Sequence, residues 1–231
     1  MFEKSVEELT ELGAQITTAE IAQQPELWRD TLNIYRENKE AIEAFLAEAR
    51  AMGEGRLSVV FTGAGTSDYV GDTCAPYLRH AGNTDLYDFK PIATTDIVSA
   101  PRDFLRAEDP TLVVSFARSG NSPESLAAVA VAKELVHNVK FLNITCAPEG
   151  KLAVESADDP NALTLLIPRA NDKGFAMTGS YSCMTLLSTL IFDTASDEQK
   201  AEWVETIAKM GEEVISVSPR SPITWLAIST A

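Results

Sequence analysis

The sequence predicts an α/β protein in which a doubly wound, mainly parallel sheet of five strands is flanked by helices and preceded by a helical extension. From about residue 57 onwards, short apolar runs that favour strands alternate with longer segments whose apolar residues recur at helical spacing. Strands that alternate with helices form right-handed βαβ units, which make neighbouring strands parallel and cover both faces of the sheet. Residues 1–52 differ from this pattern, because they are polar and helical in periodicity.

The individual elements follow from the same alternation. The predicted strands cover 57–62, 111–116, 140–145 and 162–167, with a weaker fifth at 86–90. The predicted helices cover 68–80, 123–137, 151–156, 178–193 and 197–214. The segment 91–109 is expected to be an irregular connection with a short helix, and Pro25 is expected to interrupt the N-terminal helical region.

The charge balance argues against two classes of partner. The 231 residues include 34 acidic and 19 basic ones, for a net charge of −15 at pH 7. Nucleic acids and anionic membranes need clustered Lys and Arg, and the sequence contains no such cluster. The N-terminus, MFEKSVEELTELG, lacks the features of a signal peptide, and no apolar run approaches the roughly 20 residues that span a bilayer. We therefore expect a cytoplasmic protein that binds neither nucleic acid nor membrane.

Cysteine and histidine contribute no recognisable catalytic or metal-binding pattern. Cys74, Cys146 and Cys183 are odd in number and far apart, and we expect them to be buried thiols. His80 and His137 each end a predicted helix, where an imidazole favours the negative end of the helix dipole. No metal and no other cofactor is expected.

Two loops that follow predicted strands carry hydroxyl groups and glycines. Ligands of doubly wound sheets bind outside the carboxyl ends of the strands, so the loops after residues 62, 116, 145 and 167 are candidates. In the first of them, FTGAGTSDYVGD, Gly63 and Gly65 permit a tight turn, and Thr66 and Ser67 place two hydroxyls at the start of the next helix. This loop could bind a small polar ligand.

The second loop, SFARSGNSPES, carries a clear helix start. Ser122 is the predicted N-cap, Pro123 occupies the first helical position, and Glu124 adds a favourable charge in the first turn. The residues ahead of this start lie where unpaired backbone N–H groups favour an anion, and they are Arg118, Ser119, Gly120 and Asn121. An ordinary capped loop without a ligand explains this segment as well.

Nucleotide-binding motifs fit the first loop poorly. A dinucleotide site would need a third glycine where Asp68 stands, although Asp85 and Asp88 follow at about the right distance of 20 residues. A carboxylate at that position would repel pyrophosphate. A P-loop is excluded, because the sequence contains no Gly-Lys-Ser or Gly-Lys-Thr.

Taken together, the two loops resemble a known pair. GAGTS at 63–67 and RSGNSPES at 118–125 are similar to the phosphosugar-binding loops of the sugar isomerase (SIS) domain family, whose fold is flavodoxin-like. TTAEIAQQPELW at 17–28 resembles the helix that leads into this domain, and GFAMTGSYSCMTLL at 174–187 resembles its third site-lining stretch. The most similar branch is that of the tagatose-6-phosphate ketose/aldose isomerases, also described as galactosamine-6-phosphate deaminating isomerases. The resemblance covers nearly the whole chain.

The resemblance implies a substrate site built from three stretches. Hydroxyls of the first two loops would hold the phosphate, and the third stretch would line the sugar from the other side. The substrate-binding residues it implies are Gly65, Thr66, Ser67, Arg118, Ser119, Gly120, Asn121, Ser122, Phe175 and Met177. Ala117 departs from the serine of relatives, which removes one hydroxyl contact.

The same resemblance implies an isomerase of an amino-sugar or ketose/aldose 6-phosphate. It would convert galactosamine 6-phosphate to tagatose 6-phosphate, with hydrolytic release of ammonia. Members of this branch carry two modules in tandem, and the second supplies the catalytic carboxylate, whereas this chain contains one module. The base is therefore left unassigned, and we expect this chain to lack it. The nearby acids Asp68, Glu124 and Asp172 have ordinary explanations as helix-terminal or loop residues.

The expected organisation is a helical extension at 1–52, an SIS domain at 53–216, and a linker or truncated second module at 217–231. The last of these rests on the uncharged, apolar end of the sequence. A homodimer through the SIS modules is also expected, since one module exposes the surface that its tandem partner would cover. The alternative function is a non-catalytic phosphosugar sensor, as in regulators with this domain. Such regulators attach a basic DNA-binding domain, which residues 1–52 do not resemble.

Overall fold

A five-stranded sheet lies at the centre of the structure, a computed structural model that describes residues 2–216. The strands are β1 (Leu57–Gly63), β2 (Tyr87–Pro91), β3 (Thr111–Ala117), β4 (Val139–Thr145) and β5 (Ala162–Leu166). They lie in the order β2-β1-β3-β4-β5, and every neighbouring pair is parallel. The predicted doubly wound fold is therefore confirmed, and the weak segment at 86–90 supplies the edge strand β2.

Helices cover both faces of this sheet and precede it. They are α1 (Val6–Glu11), α2 (Gln15–Ala22), α3 (Gln24–Arg50), α4 (Asp68–Ala81), α5 (Thr94–Ser99), α6 (Pro101–Phe104), α7 (Pro123–Leu135), α8 (Lys151–Ser156), α9 (Gly179–Phe192) and α10 (Asp197–Ser216). None of the helices in residues 2–216 is both long and apolar enough to cross a membrane. The proposed division of the chain into three segments stays a prediction, and 217–231 lie outside the described residues.

The apolar core is split by the sheet into two layers. On one face, α3, α4, α9 and α10 pack against inward-facing strand residues such as Phe61, whose ring lies 5.8 Å from that of Phe89 and 5.6 Å from that of Phe192. On the other face, α5 and α7 cover a smaller cluster that includes Val60 and Val113. Because both faces are covered, β1 and β3 are buried along their whole length.

Three local predictions differ from the structure in informative ways. Pro25 lies in the first turn of the 27-residue helix α3, directly after α2 ends, so it starts a helix as well as marking a break. The segment 91–109 contains two short helices, α5 and α6. The prediction that His137 ends a helix is wrong, because α7 stops at Leu135 and Val136 turns extended to enter the core. His80 does lie in the last turn of α4.

Gly71 lets α4 lie close to the sheet. A Cβ added at this position would lie 2.9 Å from Phe61 Cβ on β1. Such a distance is shorter than side-chain packing tolerates. The first two turns of α4 can therefore lie this close to β1 only because residue 71 is a glycine. The consequence for the site is direct, since the loop after β1 continues into the same two turns.

We expect Gly71→Ala to lower the free energy of unfolding by about 1–3 kcal/mol, the usual cost of overpacking. Alanine is favoured over glycine in a helix by about 0.5–1 kcal/mol, so helix propensity alone predicts the opposite sign. Urea denaturation measures the change, and Asp72→Ala, at the exposed next position, is the control. A Gly71→Ala protein as stable as the wild type would contradict the close approach.

Candidate functional site

The loops that follow β1 and β3 leave one edge of the sheet side by side. In the parallel register, Gly63 at the end of β1 is level with Phe116 near the end of β3. This is the edge at which doubly wound sheets bind ligands. The two hydroxyl-bearing loops of the sequence are therefore neighbours in the fold.

The first loop, residues 63–67, makes a tight turn into α4. Gly65 has a φ of +59°, a left-handed conformation that L side chains rarely adopt. Residues Gly65–Ser67 form a single 3₁₀ turn that leads directly into the first residue of α4. Thr94 at the start of α5 donates its hydroxyl to the Gly63 carbonyl at 2.9 Å, which holds the base of the loop. Thr66 is exposed, whereas Ser67 is buried.

The second loop, residues 118–122, is held against α8. Gly120 has a φ of +66°, and its carbonyl accepts the Leu152 N–H at 3.0 Å. The Asn121 side-chain oxygen accepts the Lys151 N–H at 3.1 Å, so this side chain supports α8. Ser119 is exposed, and its hydroxyl accepts the Asn121 N–H at 3.4 Å. The loop thus presents an exposed hydroxyl from a fixed backbone.

Ser122 occupies the N-cap position of α7 but uses its hydroxyl differently from the predicted cap. Its Oγ donates to Glu124 at 2.6 Å, and no side-chain bond to the first-turn N–H groups is present. This hydrogen bond and one from its own backbone N–H lower the pKa of Glu124, against a smaller opposing effect of burial. Glu124 is therefore ionised at neutral pH. A phosphate could accept the Ser122 hydroxyl only if it replaced Glu124 as the acceptor.

The third stretch, residues 172–178, is organised by a buried carboxylate. Asp172 is 5% exposed, and it accepts five hydrogen bonds, from Thr178, Gly179 and Ser180 at 2.5–3.1 Å. Three of these come from backbone N–H groups at the start of α9. Asp172 is thus a helix cap, and its oxygens are occupied.

Two contacts join the third stretch to the loops. The Ser67 hydroxyl donates to Met177 Sδ at 3.9 Å, and Arg118 Nη1 donates to the Gly174 carbonyl at 2.9 Å. The Arg118 bond uses one of the several N–H donors of its guanidinium. Phe175 is 104% exposed, at the tip of the stretch. The structure therefore connects the buried Ser67 and the partly buried Arg118 to the third stretch, in which Phe175 is exposed.

A further carboxylate, Glu20 of α2, was missed in the sequence analysis. Its Oε1 accepts the N–H groups of Lys173 and Gly174 at 2.6 and 2.9 Å. The segment 17–28 had been singled out, but nothing in its local pattern distinguishes Glu20 from the many other glutamates. Its partner lies 153 residues away along the chain, so only the packing of α2 on this stretch reveals the contact.

The remaining ionisable groups do not form an obvious catalytic centre. Asp68 is half-buried at the start of α4, and burial raises its pKa, with smaller effects of Asp72 and Asp96. The three cysteines are free and buried, as predicted, and burial raises the pKa of Cys74 and of Cys183 to about 11. Within residues 2–216, no group of three or more His, Cys, Asp or Glu is arranged to hold a metal ion.

The chain is similar to curated bacterial proteins over most of its length. The D-galactosamine-6-phosphate deaminase AgaS of Shewanella sp. (strain ANA-3) is 43% identical over 189 residues, which cover 81% of this chain and 48% of that protein. The D-galactosamine-6-phosphate deaminase AgaS of Escherichia coli is 39% identical over 221 residues, which cover 91% of this chain and 56% of that protein. The chain thus spans about half the length of the curated relatives it matches. No model of a known protein family matches it.

A solved structure shares the fold. The crystal structure of tagatose-6-phosphate ketose/aldose isomerase from Escherichia coli matches with a TM-score of 0.77 at 32% sequence identity. The match covers 91% of this chain and 53% of the other chain.

We expect Asp172→Ala to lower the free energy of unfolding by about 2 kcal/mol or more, because it removes a helix cap and leaves buried N–H groups without an acceptor. Urea denaturation measures the loss. Asn171→Ala, at the exposed neighbouring position, should change stability little. Equal stability of the two variants would mean that α9 does not depend on this cap.

Proposed function

We propose that this chain is a sugar isomerase (SIS) module that binds the phosphosugar in an amino-sugar phosphate isomerase, and its similarity to the D-galactosamine-6-phosphate deaminases and to the tagatose-6-phosphate isomerase structure supports this. The substrate would be galactosamine 6-phosphate, and the products tagatose 6-phosphate and ammonia. The observation that carries the proposal is the connection of the two hydroxyl-bearing loops to the third stretch through the Arg118–Gly174 and Ser67–Met177 contacts. The names of the relatives and of the matching structure support the substrate class.

The phosphate would bind between the first turns of α4 and α7. Helix N-termini offer unpaired N–H groups and the positive end of the helix dipole, which favour an anion. Thr66, Ser67, Ser119 and Ser122 would add hydroxyl donors, and the backbone at Gly65 and Gly120 would allow close approach. The sugar would then lie against Arg118, Asn121, Phe175 and Met177. In this role the phosphate is a remote handle whose binding energy orients the reacting carbons.

The reaction itself is a proton transfer followed by hydrolysis. In the open-chain amino sugar, a base removes the proton on C2, and the C–H electron pair forms a C1=C2 double bond. The π electrons of the C1 carbonyl move to its oxygen, which takes up a proton. Protonation at C1 then gives a C2 imine, and water converts the imine to the ketone with release of ammonia. The first half is an isomerisation, and only the second half consumes water. Proton transfer by a positioned side chain contributes typically a factor of about 10² to 10⁴.

We propose that the base for this step is none of Asp172, Glu20 and Glu124. Asp172 has its oxygens occupied by the start of α9, and Glu20 is buried against the backbone of the third stretch. Glu124 is exposed to solvent and accepts the Ser122 hydroxyl. Asp68 is the remaining acid near the loops. A carboxylate from a second module, or from a second copy of this chain in a homodimer, would complete the site.

The alternative function is a phosphosugar sensor without catalysis. The same loops would bind the same ligand, so binding alone does not separate the two functions. Residues 24–50 form one helix that packs on α9 and α10 through contacts such as Trp28 to Ser182 and Arg29 to Glu205. Because α3 packs on this domain, it does not form part of a separate DNA-binding domain of the kind that the regulators carry. This favours the enzyme over the sensor. A cytoplasmic location stays a prediction.

We expect the chain to bind tagatose 6-phosphate and not tagatose, and Ser119→Ala to weaken binding of the phosphate by about 1.5–3 kcal/mol, the range for a hydrogen bond to a charged group. Isothermal titration calorimetry measures both. Ala130→Ser, at an exposed position on the outer part of α7, is the control. Unchanged affinity in Ser119→Ala would remove the second loop from the site.

We expect the 231-residue chain to release ammonia from galactosamine 6-phosphate at least about 10²-fold more slowly than the full-length Shewanella deaminase, because it binds the substrate without a positioned base. A coupled ammonia assay at equal subunit concentration compares the two proteins. Equal rates would place the base within this chain, and Asp68→Asn and Glu124→Gln would be the variants to measure next. Binding with no detectable turnover in either protein would favour the sensor.

A further inference from the structure

We propose that Glu20 of α2 is a positioning residue, which sets the backbone of the sugar-facing stretch at residues 173–177. The inference rests on the proposed function, because it assigns this carboxylate to the same phosphosugar site. Glu20 makes no contact with the phosphate loops among the described hydrogen bonds. It acts instead through the two consecutive N–H groups that precede Phe175.

The geometry of the contact is that of a carboxylate clamp on the backbone. Oε1 accepts the Lys173 N–H at 2.6 Å and the Gly174 N–H at 2.9 Å. The other oxygen, Oε2, is buried and has no hydrogen-bond partner. The side chain as a whole is 7% exposed. One oxygen therefore carries both bonds, and the carboxylate is held by the backbone of the stretch and by the packing around it.

Both backbone polar groups of Gly174, the N–H and the carbonyl, are hydrogen-bonded to side chains. Its N–H bonds to Glu20, and its carbonyl accepts the Arg118 guanidinium at 2.9 Å. A Cβ at this position would lie 2.7 Å from Glu20 Oε2 and within 3.5 Å of side chains of Ile16 and Thr17. The peptide units on either side of Gly174 are thus fixed between α2 and the second loop. Phe175 and Met177 follow directly, so their directions depend on this clamp.

A carboxylate in such a place costs desolvation, and its burial needs compensating bonds. Asp172 meets that need by capping α9, a structural task. Glu20 instead serves two residues of a stretch without regular secondary structure, immediately before the residues proposed to line the sugar. An acceptor at this place stabilises no helix or strand. Its effect is to favour one backbone conformation of the stretch over the others. This is what a site needs from the residues that support it.

The test distinguishes an effect on sugar binding from an effect on phosphate binding. In the 231-residue chain, we expect Glu20→Ala to weaken tagatose 6-phosphate binding about tenfold and to leave the affinity for inorganic phosphate unchanged, since the first two loops are intact. Glu20→Gln keeps an acceptor oxygen at the position of Oε1 and should restore sugar phosphate affinity to near the wild-type value. Gly174→Ala, whose Cβ would displace the carboxylate, should produce the same split as Glu20→Ala.

Asp193→Ala is the matched control. Asp193 is also 7% exposed, and it accepts the Tyr77 hydroxyl at 2.6 Å and the Ala195 N–H at 2.7 Å beyond the other end of α9. It should lower stability without changing either affinity. A parallel loss of phosphate and sugar phosphate affinity in Glu20→Ala, or a Glu20→Gln protein as weak as Glu20→Ala, would overturn the proposal.

Hydrogen exchange tests the clamp without any ligand. The amides of Lys173 and Gly174 should exchange about tenfold faster or more in Glu20→Ala than in the wild type, with amides in β1 and β3 unchanged. Unchanged exchange at these two amides would refute positioning by Glu20. This measurement is independent of the proposed function, which fails instead if the wild-type chain does not bind tagatose 6-phosphate.

Discussion

Covering both faces of a parallel sheet is the constraint on which the rest of this structure depends. Because helices lie on both sides, β1 and β3 are buried along their whole length, and groups that a ligand could reach are confined to the loops at their ends. Adjacent parallel strands also end at the same edge, so two loops far apart in the sequence emerge side by side. The candidate site is thus a consequence of how the sheet is wound, before any particular side chain is considered.

The buried carboxylates near this edge serve the backbone. Asp172 gathers the first N–H groups of α9, and Glu20 gathers those of Lys173 and Gly174. Irregular backbone in a partly buried place must find hydrogen-bond partners, because an unpaired N–H away from water is costly. These two acids supply such partners, Asp172 from within the third stretch and Glu20 from α2. Asp172 and Glu20 therefore have a structural role here, and a base for proton transfer would need an oxygen within hydrogen-bond reach of the substrate proton.

Because this protein is acidic, an anion at the proposed site would have to be held by short-range contacts. The net charge of −15 opposes an approaching phosphate, but at physiological ionic strength charges more than about 8 Å away are largely screened. At the proposed site, a phosphate would meet N–H groups of two helix starts, exposed hydroxyls and the Arg118 guanidinium. Directional donors of this kind would favour the phosphate locally in spite of the surface charge.

The local sequence pattern was enough to predict much of the structure of this protein. The alternation of apolar runs and helical segments predicted the parallel α/β fold and nearly all of its elements, because strand and helix periodicity record which faces are buried. The hydroxyl and glycine loops were likewise visible, since turns and helix starts have short-range sequence preferences. Packing decided the rest. That α7 stops before His137 and that Glu20 clamps a stretch 153 residues away both depend on which surfaces meet, and such contacts leave no trace in the spacing of nearby residues.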